Sequence, residues 1–187
     1  MKNTLPLFSI QTITAIFFGL LTLCSTVYAD TYHPLGAEHG QQQAPYLGIQ
    51  NAKQPFAGIL TAGQPEQREL AAAKEKGFKT IINLRMPSEN SNWDEAAVVK
   101  ELGMKYISIP VAGAAGLTAS NQQTFTAAIT NAANYPMLVH CASSNRVGAF
   151  FALDANQRFD ITTEQAITLG ESAGLSSLKT PVTSLLK

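Results

Sequence analysis

The 187-residue chain carries 13 basic and 13 acidic side chains and is 45% hydrophobic but only 14% charged. That composition excludes a disordered or fibrous chain and allows one globular domain with an ordinary core. A formal net charge of zero gives no ground for a nucleic acid or an anionic membrane surface as partner.

Residues 1–29 read as a signal peptide. Lys2 supplies a positive n-region, Thr12 to Cys24 form an apolar run, and Val27-Tyr28-Ala29 fits a cleavage site. The run is short for a bilayer span. The expectation is therefore cleavage after Ala29, a mature start at Asp30 and a periplasmic or secreted product with no membrane attachment afterwards. Cleavage would remove Cys24 and leave Cys141 alone, so the mature chain cannot form an internal disulfide. Residues 30–54 hold Gly, Pro, three consecutive Gln and two His without sustained periodicity, and read as an extended leader. His33 and His39 are solvated linker residues on this reading, and no metal site is expected.

Residues 55–187 form the domain. A first strand is expected at Phe56 to Leu60, then a helix opened by Pro65 and Glu66 and stopped at Gly77. Phe78 to Leu84 predicts a second strand, Arg85 to Asn92 a polar loop, and Trp93 to Leu102 a helix ended by Gly103. Met104 to Pro110 predicts the third strand and Ala112 to Leu117 a small, Gly-rich loop. Thr118 to Ala133 predicts a helix with Phe125, Ala128, Ile129 and Ala132 on one face. Met137 to His140 is the fourth strand, followed by a helix opening near Arg146. A helix over Glu164 to Gly174 and a short one from about Ser176 close the chain. Strands alternating with helices through short loops argue an α/β domain, a mostly parallel four-stranded sheet flanked by helices. Such sheets take ligands at their C-terminal edge.

The stretch around Cys141 lies at that edge. A loop between strand end and helix start points backbone N–H groups into a concavity where the helix dipole favours an anion. Cys141 opens the loop and Arg146 closes it. A helix N-terminus beside a guanidinium favours the thiolate, which is the nucleophile, and Arg can grip an oxyanion with two parallel hydrogen bonds. The pattern points to a cysteine attacking a bound tetrahedral anion. A buried, inert core cysteine is the plainer alternative.

The chain resembles the cysteine-dependent protein phosphatases of the dual-specificity type. It is most similar to the bacterial phosphatase-like domain associated with β-lactamase-like hydrolases. The resemblance runs from about Ala57 to Arg158. It is carried by Thr61-Ala-Gly-Gln-Pro65, Thr80-Ile-Ile-Asn-Leu-Arg85, Glu89, Asp94-Glu95, Leu102-Gly103, Tyr106-Ile-Ser-Ile-Pro110 and His140-Cys141 with Asn145-Arg146. It implies a dual-specificity phosphatase-like fold and hydrolysis of a phosphomonoester, carried by a protein or a small molecule, without a cofactor. Cys141 would form a phosphocysteine, Arg146 would bind the phosphoryl oxygens, and the amides of Ala142, Ser143, Ser144, Asn145 and Arg146 would complete the cradle. His140 would support the loop.

The sequence departs from the family pattern in three ways. Four residues, not five, separate Cys141 from Arg146, a span shared with rhodanese-like sulfurtransferases that carry a persulfide. Ser144 replaces a glycine and could crowd the anion. Val147 replaces a hydroxyl residue that helps the thiolate leave, a task open to Ser143 or Ser144. The loop Val111 to Leu117, where such enzymes carry an Asp as general acid, has no carboxylate. Glu89, Asp94 and Glu95 are the candidate replacements, the last two being equally readable as first-turn helix charges. Arg85 is a second anion contact or a partner for Glu89, and Asn145 braces the loop or takes an unusual torsion. A catalytically weak anion-binding module is the reading outside enzymology.

Overall fold

The computed structural model describes residues 47–89 and 92–186. The expected signal, Cys24, His33 and His39 lie outside the described residues. Chain order is β1 (Lys53–Phe56), β2 (Ile59–Ala62), α1 (Gln67–Glu75), β3 (Thr80–Asn83), α2 (Glu95–Glu101), β4 (Lys105–Ser108), α3 (Ala119–Thr130), β5 (Met137–His140), α4 (Asn145–Phe159), α5 (Thr163–Ser172) and α6 (Lys179–Leu185). The sheet has five strands in the order β1-β2-β5-β3-β4. β2, β5, β3 and β4 run parallel, and β1 pairs antiparallel with β2.

The extra strand corrects the expected count of four. Phe56 to Leu60 is not one strand: Gly58, at φ +72°, reverses the chain between Phe56 and Ile59. The leader boundary moves with it. Leu47 and Ile49 are buried against Leu60, Leu70 and Phe78, so the folded unit includes residues 47–54.

Period-two alternation divides each central strand between two cores. Ile59, Ile82, Met137 and Val139 face a cluster built with Phe125, Phe150 and Phe151. Leu60, Ala62, Ile81 and Leu138 face the cluster of Leu70, Ala73, Val99 and Met104 from α1 and α2 and the turn before β4. The same alternation sends His140 and Asn83 toward α2. The register aligns Ala62, His140, Asn83 and Ser108 as the last residues of the four parallel strands. Helix starts follow local chemistry. Asp94 caps α2 by accepting from Ala97 N at 3.0 Å, Thr118 caps α3, and Thr162 with Gln165 forms a capping box on α5.

Candidate active site

β5 ends at His140, and the chain passes through Cys141 to Ser144 into α4 at Asn145. Cys141 is 1% exposed. Two of the loop's carbonyls turn toward the surrounding frame, Ala142 O accepting from Gln64 N at 3.3 Å and Ser143 O from Asn51 Nδ2 at 3.4 Å, and Ser144 O accepts from Gly148 N at 3.0 Å as the first bond of α4. Gly63 lies so close that a Cβ there would stand 3.0 Å from Ala142 O. The stretch Thr61 to Pro65 is thus one wall of the loop.

Ser144 adopts φ +68°, the left-handed conformation that glycine takes most easily. Its side chain does not crowd the loop. It is fully buried and turned away, and its hydroxyl donates to Ala173 O at 2.9 Å. That commitment removes Ser144 as a stand-in for the hydroxyl absent at Val147. Asn145 has ordinary helical torsion and serves as a brace. Its Oδ1 accepts from Ser176 N at 2.8 Å and Leu178 N at 3.3 Å, and its Nδ2 donates to Ser177 Oγ at 2.7 Å.

Arg146 is fixed from the other side. It donates to Glu89 Oε1 at 2.5 Å, Glu89 Oε2 at 2.7 Å and Val111 O at 2.9 Å. Glu89 Oε1 also accepts from Met86 N at 2.8 Å. The Arg146 hydrogen bonds hold the Glu89 carboxyl down to about 2, against burial that would raise it. Glu89 in turn raises Arg146 above its ordinary value, with Cys141 adding to the effect. A carboxyl so committed is ionised throughout the useful pH range and is a positioning group for Arg146, not a proton donor. Arg85 joins it: its guanidinium donates to Gln64 Oε1 at 2.5 Å and to Glu89 O, with Nε 3.6 Å from Glu89 Oε2. Of the two readings of Arg85, the structure shows the Glu89 partner.

His140 is fully buried, with Nε2 2.7 Å from Glu95 Oε1. Glu95 Oε2 accepts from Asn83 Nδ2 at 3.0 Å and Gln64 Nε2 at 3.2 Å. Glu95 is therefore no surface charge of a first helical turn; it sits buried under the strand ends, against the imidazole before Cys141. Asp94 is the exposed helix cap. The Val111 to Leu117 loop forms a short 3-10 turn over Gly113–Gly116. Nothing in the local sequence around Gln64, Asn83 or Tyr106 signals a role for them at the site. Gln64 and Asn83 meet at Glu95 only once the chain is folded, and Asn83 Nδ2 also donates to Tyr106 OH at 2.9 Å.

A central parallel strand delivering a cysteine to a short loop, an arginine at the following helix start, and helices on both sheet faces define the tyrosine and dual-specificity phosphatase-like class. Within it, residues 48–167 match the family model described as PTP-NADK, a DSP-PTPase phosphatase fused to NAD+ kinase, and the chain belongs to that family. It is 32% identical over 99 residues to the β-lactamase hydrolase-like protein of Xylella fastidiosa strain Temecula1, covering 51% of this chain and 22% of that protein. The namesake from Agrobacterium fabrum is 32% identical over 112 residues, covering 55% of this chain and 26% of that one. The matched stretch thus spans about a quarter of these relatives' length.

Among solved structures, a DUF442 protein from Shewanella putrefaciens CN-32 described as a candidate phosphatase superposes with a TM-score of 0.58 at 25% identity. It covers 74% of this chain and 91% of that one. The catalytic core of the PP-IP phosphatase SIW14 of S. cerevisiae, in complex with citrate, gives 0.57 at 16% identity, with 74% and 87% covered. A Cys-to-Ser variant of P. aeruginosa TpbA in complex with pTyr gives 0.57 at 17%, with 76% and 85% covered. At those two identities the likeness is one of fold.

Proposed function

We propose that this chain is an exported, cysteine-dependent phosphomonoesterase working through a phosphocysteine. The observation that carries the reading is the joint fixing of the two ends of one loop: Cys141 at the close of β5 and Arg146 held by Glu89 and Val111 O. Two loop carbonyls are drawn into the frame, which turns the amides of 142–146 toward the bound phosphoryl oxygens. The Cys141 thiolate attacks phosphorus, the ester P–O bond breaks, and the departing oxygen takes its proton from solvent. Water then cleaves the S–P bond to release phosphate and regenerate the thiol. Arg146 neutralises charge on the transferring group.

Glu89 is ionised by Arg146, Glu95 is committed to His140, and the Val111 to Leu117 loop carries no carboxylate. Leaving groups that depart unprotonated are therefore favoured, and aryl phosphates should turn over faster than alkyl phosphates. Export through residues 1–29 and a phosphorylated small molecule or protein as substrate are parts of the same proposal.

The test uses the chain from Asp30, wild type beside Cys141→Ser, with p-nitrophenyl phosphate and chelator at mildly acidic to neutral pH. Thiosulfate-to-cyanide sulfur transfer is run in parallel. Phosphate release that survives chelator and vanishes in the variant supports the reading. Sulfur transfer alone makes the four-residue loop that of a sulfurtransferase. Silence in both, with sulfate or phosphate still bound, leaves an anion-binding module.

A further inference from the structure

Behind Arg85 and Glu89, the latter paired with Arg146, lies a cavity of about 310 Å³ that the steps above do not use. Its walls come from the end of β3, the segment from Arg85 to Glu89, the start of α2 and β4. Its volume is at the lower end of the range for small-molecule sites. Two features set its chemistry. Among the described lining residues the one cation, Arg85, is spent on Gln64 and Glu89. The other charged side chains there are three carboxylates, Glu89 toward the loop, Asp94 at the rim and Glu95 at the floor, and the rings of Trp93 and Tyr106 share the lining with Met86. The Tyr106 hydroxyl is raised above its ordinary value, chiefly by burial and then by the negative charge of Glu95, with Asp94 adding to it. The cavity is thus polarised. Arg85 and the Glu89–Arg146 pair lie toward the loop; toward α2 lie the aromatic rings, the exposed Asp94 that caps the helix, and below them Glu95, which accepts from Asn83 and Gln64 and lies against His140.

Resting on the phosphatase reading, we propose that this cavity is the leaving-group subsite and selects an ammonium group, so that the substrate is a phosphomonoester carrying a positive charge beyond the scissile oxygen. Phosphate occupies the loop at the positive end. The ammonium lies against Trp93, Tyr106 and Asp94 at the negative end, where ring faces and carboxylate both attract a desolvated cation. A second phosphate there would face Asp94 and Glu95 with no cation among the described lining residues but the engaged Arg85, so polyphosphorylated substrates are rejected. Asp94 is the specificity residue whose charge can be removed alone, because Asn caps a helix as well as Asp does.

Trp93 is the chain's single tryptophan, so its fluorescence reports the cavity without any turnover. The Asp30-start chain is titrated with tetramethylammonium chloride, with sodium chloride at equal ionic strength, and with neopentyl alcohol as a neutral analogue of similar bulk. In parallel, phosphocholine and its neutral isostere 3,3-dimethylbutyl phosphate compete with p-nitrophenyl phosphate. Expected are a saturable tetramethylammonium response, phosphocholine inhibiting about tenfold more tightly than its isostere, and a several-fold loss of both preferences in Asp94→Asn. p-Nitrophenyl phosphate turnover with equal inhibition by the two esters overturns the subsite and leaves the phosphatase intact. Ammonium binding without turnover of any ester removes the leaving-group role and the phosphatase reading together. A Trp93 signal indifferent to charge overturns the proposal outright.

Discussion

The two flanks of the Cys141 loop are held by different physics. On the β3 side the ionic contacts are those of Arg146 and Arg85 on Glu89, with His140 Nε2 lying against Glu95 beside them. On the α5 side they are neutral: Ser144 on Ala173 O, Asn145 on the backbone of Ser176 and Leu178, and glycines where α4 meets α5. The ionic flank orients the groups that would touch substrate, and its strength depends on protonation and salt. The neutral flank sets where the backbone runs and depends on close approach alone. Substitutions on the two sides should therefore differ in kind as well as in size.

The largest effect belongs to the neutral flank. A Cβ on Gly148 would stand 2.0 Å from Leu175 N and 2.5 Å from Gly170 O, both backbone atoms that no rotamer change can move. Gly148→Ala should cost about 3 kcal/mol, the upper part of the range for overpacking. The measurement is the urea midpoint. A cost equal at low and high salt is required if the flank is neutral.

Glu89→Gln is expected next. The Glu89 carboxyl sits at about 2 in the fold against an ordinary 4.5, so its stabilisation is complete above pH 4.5 and is lost as pH falls toward 2. The group is partly exposed, and solvent screening leaves a contribution of about 2 kcal/mol at neutral pH. The difference in unfolding free energy between wild type and Glu89→Gln should shrink steadily below pH 4.5, while that for Gly148→Ala stays flat. Parallel curves would erase the distinction between the flanks.

Much of this was legible in the residues. Met137 to His140 is a strand with the bounds expected, because an apolar run ending in a polar loop has few other readings. Asp94 as a helix cap and Gly77 and Gly103 as helix stops follow from one-residue chemistry. The hairpin at Gly58 was missed because Phe56 to Leu60 is a continuous apolar run, and periodicity does not mark a two-residue turn inside one. Glu89, Asp94 and Glu95 look alike in sequence as spare carboxylates. Their roles separate only when strand register puts Glu95 beneath His140 and loop closure puts Glu89 on Arg146. The link from Asn145 to Ser176 spans 31 residues and leaves no local pattern at all.

Asn145→Ala tests that link. It removes two acceptor contacts and one donor contact to residues 176–178, which are solvent-exposed or half-buried and can regain water. A cost of about 1–2 kcal/mol is expected, less than three full hydrogen bonds would suggest. Amide exchange should quicken at Ser176 and Leu178 and not at Met86, which the Glu89 carboxylate holds. Quickening on both sides would mean that the flanks are one cooperative unit.

The smallest effect is expected at Ser144, where two terms oppose each other. At φ +68° a side chain costs about 1–2 kcal/mol over glycine. The Ser144 hydroxyl returns about 1 kcal/mol through its bond to the Ala173 carbonyl, which would otherwise be buried without that donor. Gly174 fixes the geometry of this exchange: it holds φ +109°, and a Cβ on it would come within 2.5 Å of the Ser144 hydroxyl. Ser144→Gly should therefore shift the urea midpoint by less than about 1 kcal/mol in either direction. Ser144→Ala keeps the backbone cost and loses the hydrogen bond, so it should be the less stable of the two. If Ser144→Ala matched wild type while Ser144→Gly was clearly more stable, the hydroxyl would contribute nothing. The neutral flank would then rest on Asn145 and the glycine contacts alone.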